Sequence, residues 1–251
     1  MPKQPERRPR LYEELANELR AKILDGELPP GAEMPRENAL MEERDLARST
    51  VRQAFDVLRA EGLIESRQGA PVRVREYKPI IRNARKRLST TVWGSGESIW
   101  SVDLEGRQPE VEVEVDEVEA PPRIADVLGV GRVCRRRRRF SLDGRQLMLA
   151  TSYIPAEIAN EAGINQPDTG NGGMYQRLAE AGHAPVEAKE QVRARMPLPD
   201  EAEALRISAA SGSPVAVIAR VVVDADGKPL EVNEMTLDAS KYILEYDFPL
   251  Q

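Results

Sequence analysis

Apolar residues recur every four positions from Leu11 to Ile23, which is the spacing of one face of an α-helix. Gly26 and the Pro-Pro-Gly of residues 29–31 then predict a stop and a turn. A second, shorter helix is expected to open at Pro35, because proline is favoured in the first turn of a helix. The chain therefore begins with two predicted helices that are separated by a turn.

A third helix has a clearer pattern. The residues on its apolar face are Val51, Ala54, Phe55 and Leu58. Gly62 ends this helix, and the segments 63–66 and 72–75 then have the patterns of two strands with a turn between them. Three helices followed by a β-hairpin predict a winged helix-turn-helix, a fold that can place a helix in the major groove of DNA.

The second half of the chain alternates strand and helix patterns. The predicted strands are 111–115, 133–142, 147–149, 153–155, 187–196, 215–223 and 230–237, and the predicted helices are 122–128, 174–181 and 200–205. Turns are expected at Asp143-Gly144 and around Asp226-Gly227, each at the end of a long strand. This order predicts an α+β domain with a mainly antiparallel sheet.

A basic segment separates the two halves. Residues 77–95 contain few apolar positions, so we interpret them as a linker between a DNA-binding domain of residues 1–76 and a second domain of residues 96–251. Residues 1–88 hold 19 Lys and Arg against 15 Asp and Glu, a net charge of +4, whereas the rest of the chain carries −10. The difference in sign agrees with nucleic-acid binding by the first domain.

Composition argues against several classes of protein. No apolar run approaches the length of a membrane span, and the first ten residues lack the apolar core of a signal peptide, so a cytoplasmic protein without membrane contact is expected. One cysteine, Cys134, excludes an internal disulfide. One histidine, His183, disfavours a multi-histidine metal site and histidine-centred catalysis. We expect neither a metal nor a cofactor.

Two segments carry a specific resemblance. LYEELANELRAKILDGELPPGAEMP and ARSTVRQAFDVLRAEGLIESRQG resemble the winged helix-turn-helix domain of the GntR family, in order and spacing, over nearly all of residues 11–75. The third helix then brings its N-terminus to the major groove, where N–H groups and hydroxyls meet phosphates and arginine pairs with guanine. The residues expected to contact DNA are Arg36, Arg48, Ser49, Thr50, Arg52 and, at the wing tip, Gln68 and Gly69. A solvated basic helix face is the alternative interpretation.

Three positions depart from the family pattern. Pro35 is followed by Arg36-Glu37-Asn38, where the family commonly has Ser-Glu-Arg, so Arg36 is a candidate phosphate contact on a different side of the helix. Asp45 stands at a usual glycine, and Ala47 at a common capping serine. Loss of that cap predicts a recognition helix weakened by roughly 1 kcal/mol.

The second half resembles the UTRA ligand-binding domain of the HutC branch of GntR regulators, a fold similar to that of chorismate lyase, over roughly residues 98–248. The motifs that carry the resemblance are SYIP at 152–155, GGMY at 172–175 and LEVNEMTL at 230–237. By resemblance, the effector-binding residues are Arg135, Arg137, Gly173, Glu234 and Tyr242. Ala150 and Gly173 stand where sugar-phosphate binders of the family tend to have glutamate and serine.

Arg135 to Arg139 form an unbroken run of five arginines. In a strand, Arg135, Arg137 and Arg139 share one face, and the two even-numbered arginines share the other. Forked guanidinium groups match phosphate or carboxylate, which favours an anionic effector such as a phosphorylated sugar or a small carboxylate. An exposed charge cluster at the sheet edge, or a surface for nucleic acid or a partner protein, is the alternative.

These patterns predict a sequence-specific DNA-binding transcription regulator. We expect a homodimeric repressor that binds an inverted repeat in double-stranded DNA, with an affinity that a small effector changes. A ligand-independent repressor of a mobile element or plasmid function is one alternative. An enzyme similar to chorismate lyase is another, but the sequence offers no nucleophile–base pair, so no enzyme is expected.

Overall fold

The computed structural model describes residues 10–66, 70–76, 79–93, 103–104, 107, 109–170, 173–208 and 212–248. The chain divides into two compact units, Met1–Lys78 with Ile207–Ser213 and Pro79–Arg206 with Pro214–Gln251. Among the described residues, no helix is both long and apolar enough to cross a membrane.

The first unit packs three helices against a small hairpin. These elements are α1 (Leu11–Leu24), α2 (Glu37–Arg44), α3 (Arg48–Ala60), β1 (Ile64–Glu65) and β2 (Arg73–Val74). Leu19, Phe55 and Leu58 are among the buried residues of their common core. β1 and β2 are antiparallel, and the backbone N–H of Met34 donates to the carbonyl of Val72 at 2.8 Å, which adds the segment before α2 to the hairpin. The predicted winged helix-turn-helix is confirmed.

The turn between α2 and α3 contains both unusual residues of this motif. Asp45 ends α2 in the left-handed conformation, with φ of +49°. Aspartate tolerates this region better than most residues, although less well than glycine. Ala47 is the N-cap of α3, and no side-chain hydrogen bond caps the helix there.

The second unit is built on one antiparallel sheet of six strands. Its strands are β4 (Glu110–Glu119), β5 (Arg132–Leu142), β6 (Arg145–Pro155), β7 (Glu187–Arg195), β8 (Val215–Val223) and β9 (Pro229–Asp238), in the spatial order β4-β5-β6-β9-β8-β7. The helices between these strands are α6 (Pro122–Leu128), α7 (Ala156–Glu161), α8 (Gly173–Glu180) and α9 (Pro199–Leu205). The predicted α+β class is confirmed.

Helices cover both faces of this sheet. α6 packs with Tyr153 and Val232, which lie in register with Arg135, so we name this side the α6 face. α7 and α8 pack with Ile154, which lies on the opposite side with Arg136 and Arg138; we name it the α8 face. Successive residues of a strand therefore lie on different faces of the sheet, one with α6 and the other with α7 and α8.

The segment interpreted as a linker is structured where it is described. It contains β3 (Ile80–Asn83), α4 (Ala84–Arg87) and α5 (Thr90–Trp93), and β3 runs parallel to β10 (Tyr242–Glu245). Arg82 and Arg87 are buried and pair with Glu190 and Asp103. Their basic side chains suggested a solvated segment, but arginine can be buried when a carboxylate neutralises it.

Candidate functional site

The start of α3 is an electropositive end of a helix. Arg48, Ser49 and Arg52 are exposed there, and Thr50 is half-buried. Every residue of α3 is described, and its first turn contains no acidic residue. The unpaired N–H groups and the positive end of the helix dipole therefore favour an anion such as a DNA phosphate.

Contacts with α2 position the two arginines. The Nη2 of Arg48 donates to Oδ1 of Asn38 at 3.2 Å, and the Nε of Arg52 donates to Oε2 of Glu37 at 3.2 Å. Because these contacts are exposed, exchanging them for contacts with DNA costs little. Arg36 is exposed at the N-cap of α2, next to Glu37. Gln68 and Gly69 lie outside the described residues.

The odd-numbered arginines of β5 form a ladder of ion pairs on the α6 face. Arg135 pairs with Asp116, Arg137 with Glu114 and Arg139 with Glu112, each directly across from it on β4. The hydrogen bond from Arg135 lowers the pKa of the Asp116 carboxyl. These guanidinium groups are thus already neutralised by acidic side chains of the same sheet.

The even-numbered arginines lie on the α8 face, where Arg136 is buried and Arg138 is half-buried. Arg136 donates to the backbone carbonyls of Ile164, Gln166 and Pro167, and burial lowers its pKa to about 10. Arg138 donates to the hydroxyl of Ser152, and burial lowers its pKa as well. Arg136 therefore holds the loop between α7 and α8, whereas Arg138 belongs to a buried polar network.

That network crosses the sheet from Arg138 to β3. Ser152 and Tyr175 both donate to the carboxylate of Glu231, Tyr175 at 2.7 Å. Arg220 donates to the Tyr175 hydroxyl at 3.2 Å and, through Nε, to Glu190 at 2.8 Å. Arg82 of β3 completes the network, because it donates to both carboxylate oxygens of Glu190, at 3.0 and 2.6 Å.

Charge compensation sets the protonation states in this network. Burial alone would raise the pKa of Glu190, but the hydrogen bonds and charges of Arg82 and Arg220 lower it to about 2. Burial, together with the nearby Glu231, raises the pKa of the Tyr175 hydroxyl. Glu190 is therefore a carboxylate, and Tyr175 a neutral donor, at neutral pH.

The predicted effector residues do not lie together. Arg135, Arg137 and Glu234 are on the α6 face, where Glu234 pairs with Arg123. Gly173 opens α8, and Tyr242 lies in the core of the opposite side. The five residues therefore cannot line one pocket, because a step of one residue along a strand changes the face. Whether any of them binds an effector stays a prediction.

The residues that sequence reasoning missed are the partners in the buried network. Tyr175 stands in the GGMY motif and Glu231 in the LEVNEMTL motif, so both were within the segments that carried the resemblance. Strand alternation could have identified Glu231. It lies three residues from Glu234 on the same strand, so the two side chains point to opposite faces of the sheet. Arg220 lies in an apolar strand, where a lone charge indicates a buried partner.

A cavity of about 510 Å³ opens in the second unit. Its lining includes Tyr175, Glu190 and Val222, together with residues 83–85, 88, 185–188 and 245–248. None of the arginines of β5 is part of that lining. In the described part of the chain, no three His, Cys, Asp or Glu side chains are grouped so that they could hold a metal ion.

Comparisons with known proteins match both units. The model of the bacterial regulatory proteins of the gntR family matches residues 11–74, and that of the UTRA domain matches residues 104–243. The HTH-type transcriptional regulator Rv0792c of Mycobacterium tuberculosis is 33% identical over 225 residues, which are 87% of this chain and 78% of that protein.

One further relative and one solved structure match more than nine-tenths of the chain. The HTH-type transcriptional repressor NagR of Bacillus subtilis is 24% identical over 236 residues, 92% of each chain. A solved structure of a GntR-family transcriptional regulator superposes with a TM-score of 0.65 at 26% identity, covering 96% of this chain and 98% of that one. The chain thus belongs to the GntR family of bacterial regulatory proteins, as a winged helix-turn-helix transcription regulator of the HutC-like branch with a C-terminal UTRA domain.

Proposed function

We propose that the protein is a homodimeric repressor that binds an inverted-repeat operator through α3, and that a small molecule in the UTRA domain changes its affinity for DNA. The observation that carries this proposal is the start of α3, where Arg48 and Arg52 stand exposed beside an N-terminus free of acidic residues. Arg36, Ser49 and Thr50 provide further polar groups for the phosphates.

The small size of one DNA-binding unit favours a dimer. A single small DNA-binding unit makes few base contacts, and a two-fold dimer doubles them over the two halves of an inverted repeat. The Bacillus subtilis relative is named a repressor, which supports repression over activation. We place the dimer contacts in the UTRA domain, and the domain limits of 1–76, 77–95 and 96–251 stay a prediction.

Regulation requires a ligand that distinguishes two arrangements of the dimer. A molecule that binds both arrangements equally well leaves the equilibrium between them unchanged, whatever its affinity. An anionic effector held by Arg135 and Arg137 stays a prediction, and it must compete with Asp116 and Glu114 for these guanidinium groups. In the ligand-independent alternative, no small molecule changes operator affinity.

The test begins by selecting an operator for the full chain from a random pool of double-stranded DNA. Arg52→Ala should then weaken operator binding by about 1–3 kcal/mol and relax the preference at one guanine. The matched control is Arg20→Ala, an arginine of α1 that pairs with Glu61 and should leave affinity unchanged. Equal losses on the selected and the guanine-substituted operator would make Arg52 a phosphate contact, and failure to select any sequence would refute the proposal.

A further inference from the structure

The cavity of the UTRA domain has the dimensions of a small-molecule site. Its volume of about 510 Å³ lies within the roughly 300–1,000 Å³ that is usual for ligand pockets. Val222 and the ring of Tyr175 provide apolar lining from the sheet and α8, and Tyr246 and Phe248 line it from the C-terminal segment. An apolar body of a few rings or a short chain would fit this space.

Acidic groups predominate among the charged side chains of the lining. Glu187, Glu190, Glu245 and Asp247 contribute carboxylates, and Arg85 contributes a guanidinium. Glu190 is already compensated from behind by Arg82 and Arg220. The groups that a ligand can use are therefore the carboxylates at the rim.

Two of these carboxylates converge because one buried amide binds both. The Nδ2 of Asn83 donates to Oε1 of Glu245 at 3.0 Å and to Oδ2 of Asp247 at 2.6 Å. The ammonium of Lys86, whose side chain is 61% exposed, lies 3.5 Å from Glu245 and 3.8 Å from Asp247. The carboxylate pair thus attracts an ammonium group, at distances too long for a strong hydrogen bond.

Aromatic faces stand next to this pair. The rings of Tyr246 and Phe248 stack with their centroids 6.4 Å apart and an interplanar angle of 11°. Phe248 is 77% exposed, which is unusual for a large apolar side chain. Ring faces beside carboxylates attract organic cations, through the ring quadrupole and through direct charge pairing.

We propose that this cavity binds a small organic cation, an amine or guanidine on an apolar body, and that this cation is the effector of the UTRA domain. The charged head pairs with Glu245 and Asp247 in place of Lys86, and the apolar body lies against Val222 and the aromatic rings. This inference rests on the proposed function, since it identifies the chemical class of the effector. It differs from the sequence-based expectation of an anion on β5.

The test uses the full chain and three probes of similar shape. These are benzyltrimethylammonium, its uncharged carbon analogue neopentylbenzene, and the anion phenylacetate. We expect ligand-observed NMR to detect the ammonium probe, and the other two to bind at least tenfold more weakly. Benzyltrimethylammonium should also change the affinity for the selected operator.

Two variants locate the site. Glu245→Gln with Asp247→Asn keeps the shape of both side chains and should weaken ammonium binding about tenfold. The matched control, Glu119→Gln with Asp126→Asn, removes the same charge from exposed positions outside the cavity and should change binding less than twofold. Phe248→Ala, at an exposed position that the fold does not need, should also weaken binding.

Several results would overturn the inference. Preference for phenylacetate, equal binding of the uncharged analogue, or ammonium binding that survives both cavity variants would each exclude a cation site here. Ammonium binding that leaves operator affinity unchanged would exclude the effector role. Operator binding of the unliganded chain is measured separately, so failure of the proposed function gives a different result from failure of this inference.

Discussion

At the scale of single residues, Ala47 is a weak point of the recognition helix. It occupies the N-cap of α3 in an extended conformation, φ −63° and ψ 146°, but its methyl group cannot accept a hydrogen bond. A serine hydroxyl at this position can accept one from an N–H group in the first turn. The proposed recognition helix therefore begins with more unpaired donors than a capped helix has.

We expect Ala47→Ser to raise the free energy of unfolding of the first unit by about 1 kcal/mol, because the hydroxyl supplies the missing cap. Urea unfolding followed by the helical circular dichroism signal measures this change. Ala39→Ser is the matched control, since Ala39 is exposed inside α2, where serine has a lower helix propensity and should lower stability slightly. Equal effects of the two substitutions would contradict the capping argument.

At the scale of elements, local patterns predicted the strands and helices well. The helix at 122–128 and the strand at 215–223 have the predicted bounds, because each has a complete pattern between clear stop signals. The pairing of β3 with β10 was missed, since its partners lie about 160 residues apart and the pattern of one strand says nothing of a distant neighbour. Local patterns were enough to predict α3, whereas the cavity of the second unit is lined by segments from distant parts of the chain.

The run of arginines illustrates what alternation can and cannot predict. The pattern separated odd from even positions correctly, because side chains alternate along any strand. It did not reveal which face is buried, because all five residues are arginines and no alternation of apolar and polar side chains distinguishes the two faces. The structure shows that the odd-numbered arginines lie on the more exposed face, where they pair with the acidic residues of β4.

Two adjacent arginines of β5 should therefore differ sharply in their contribution to stability. Arg137→Ala should cost at most about 1 kcal/mol, because it removes a half-exposed ion pair with Glu114. Arg138→Ala should cost about 3 kcal/mol, because it removes a half-buried guanidinium that donates to Ser152 and offsets the charge of the buried Glu231. Urea unfolding of the two variants, followed by circular dichroism, compares the costs directly. Similar losses would show that the two faces are not buried as described.

At the scale of the whole molecule, the contrast in charge between the halves corresponds to two tasks. The basic excess of residues 1–88 comes partly from the exposed arginines of α3 and partly from β3 and α4. In β3 and α4, Arg82 and Arg87 are buried inside the second unit. Net charge alone therefore overstates the positive surface available to DNA. The start of α3 is a better guide, because its arginines are exposed.

The buried pairs of β3 and α4 also bear on where the effector domain begins. Arg82 binds Glu190 with its side chain 1% exposed, and Arg87 lies 2.9 Å from Asp103, with both side chains 1% exposed. Ile80 adds an apolar side chain to the core of the sheet. Removing one partner of a buried ion pair costs about 3–5 kcal/mol, and whole domains are stable by only about 5–15 kcal/mol.

We therefore expect a fragment of residues 79–251 to fold and to dimerise, and a fragment of residues 90–251 to fail to fold. The shorter fragment loses Ile80 and Arg82 and leaves Asp103, whose carboxyl pKa burial already raises, without Arg87. Circular dichroism during thermal unfolding tests folding, and light scattering at micromolar concentration tests dimerisation. The two fragments share every residue from 90 onward, so each is the control for the other. Equal melting temperatures would place the start of the effector domain after β3, and a folded but monomeric longer fragment would move the dimer contacts out of the UTRA domain.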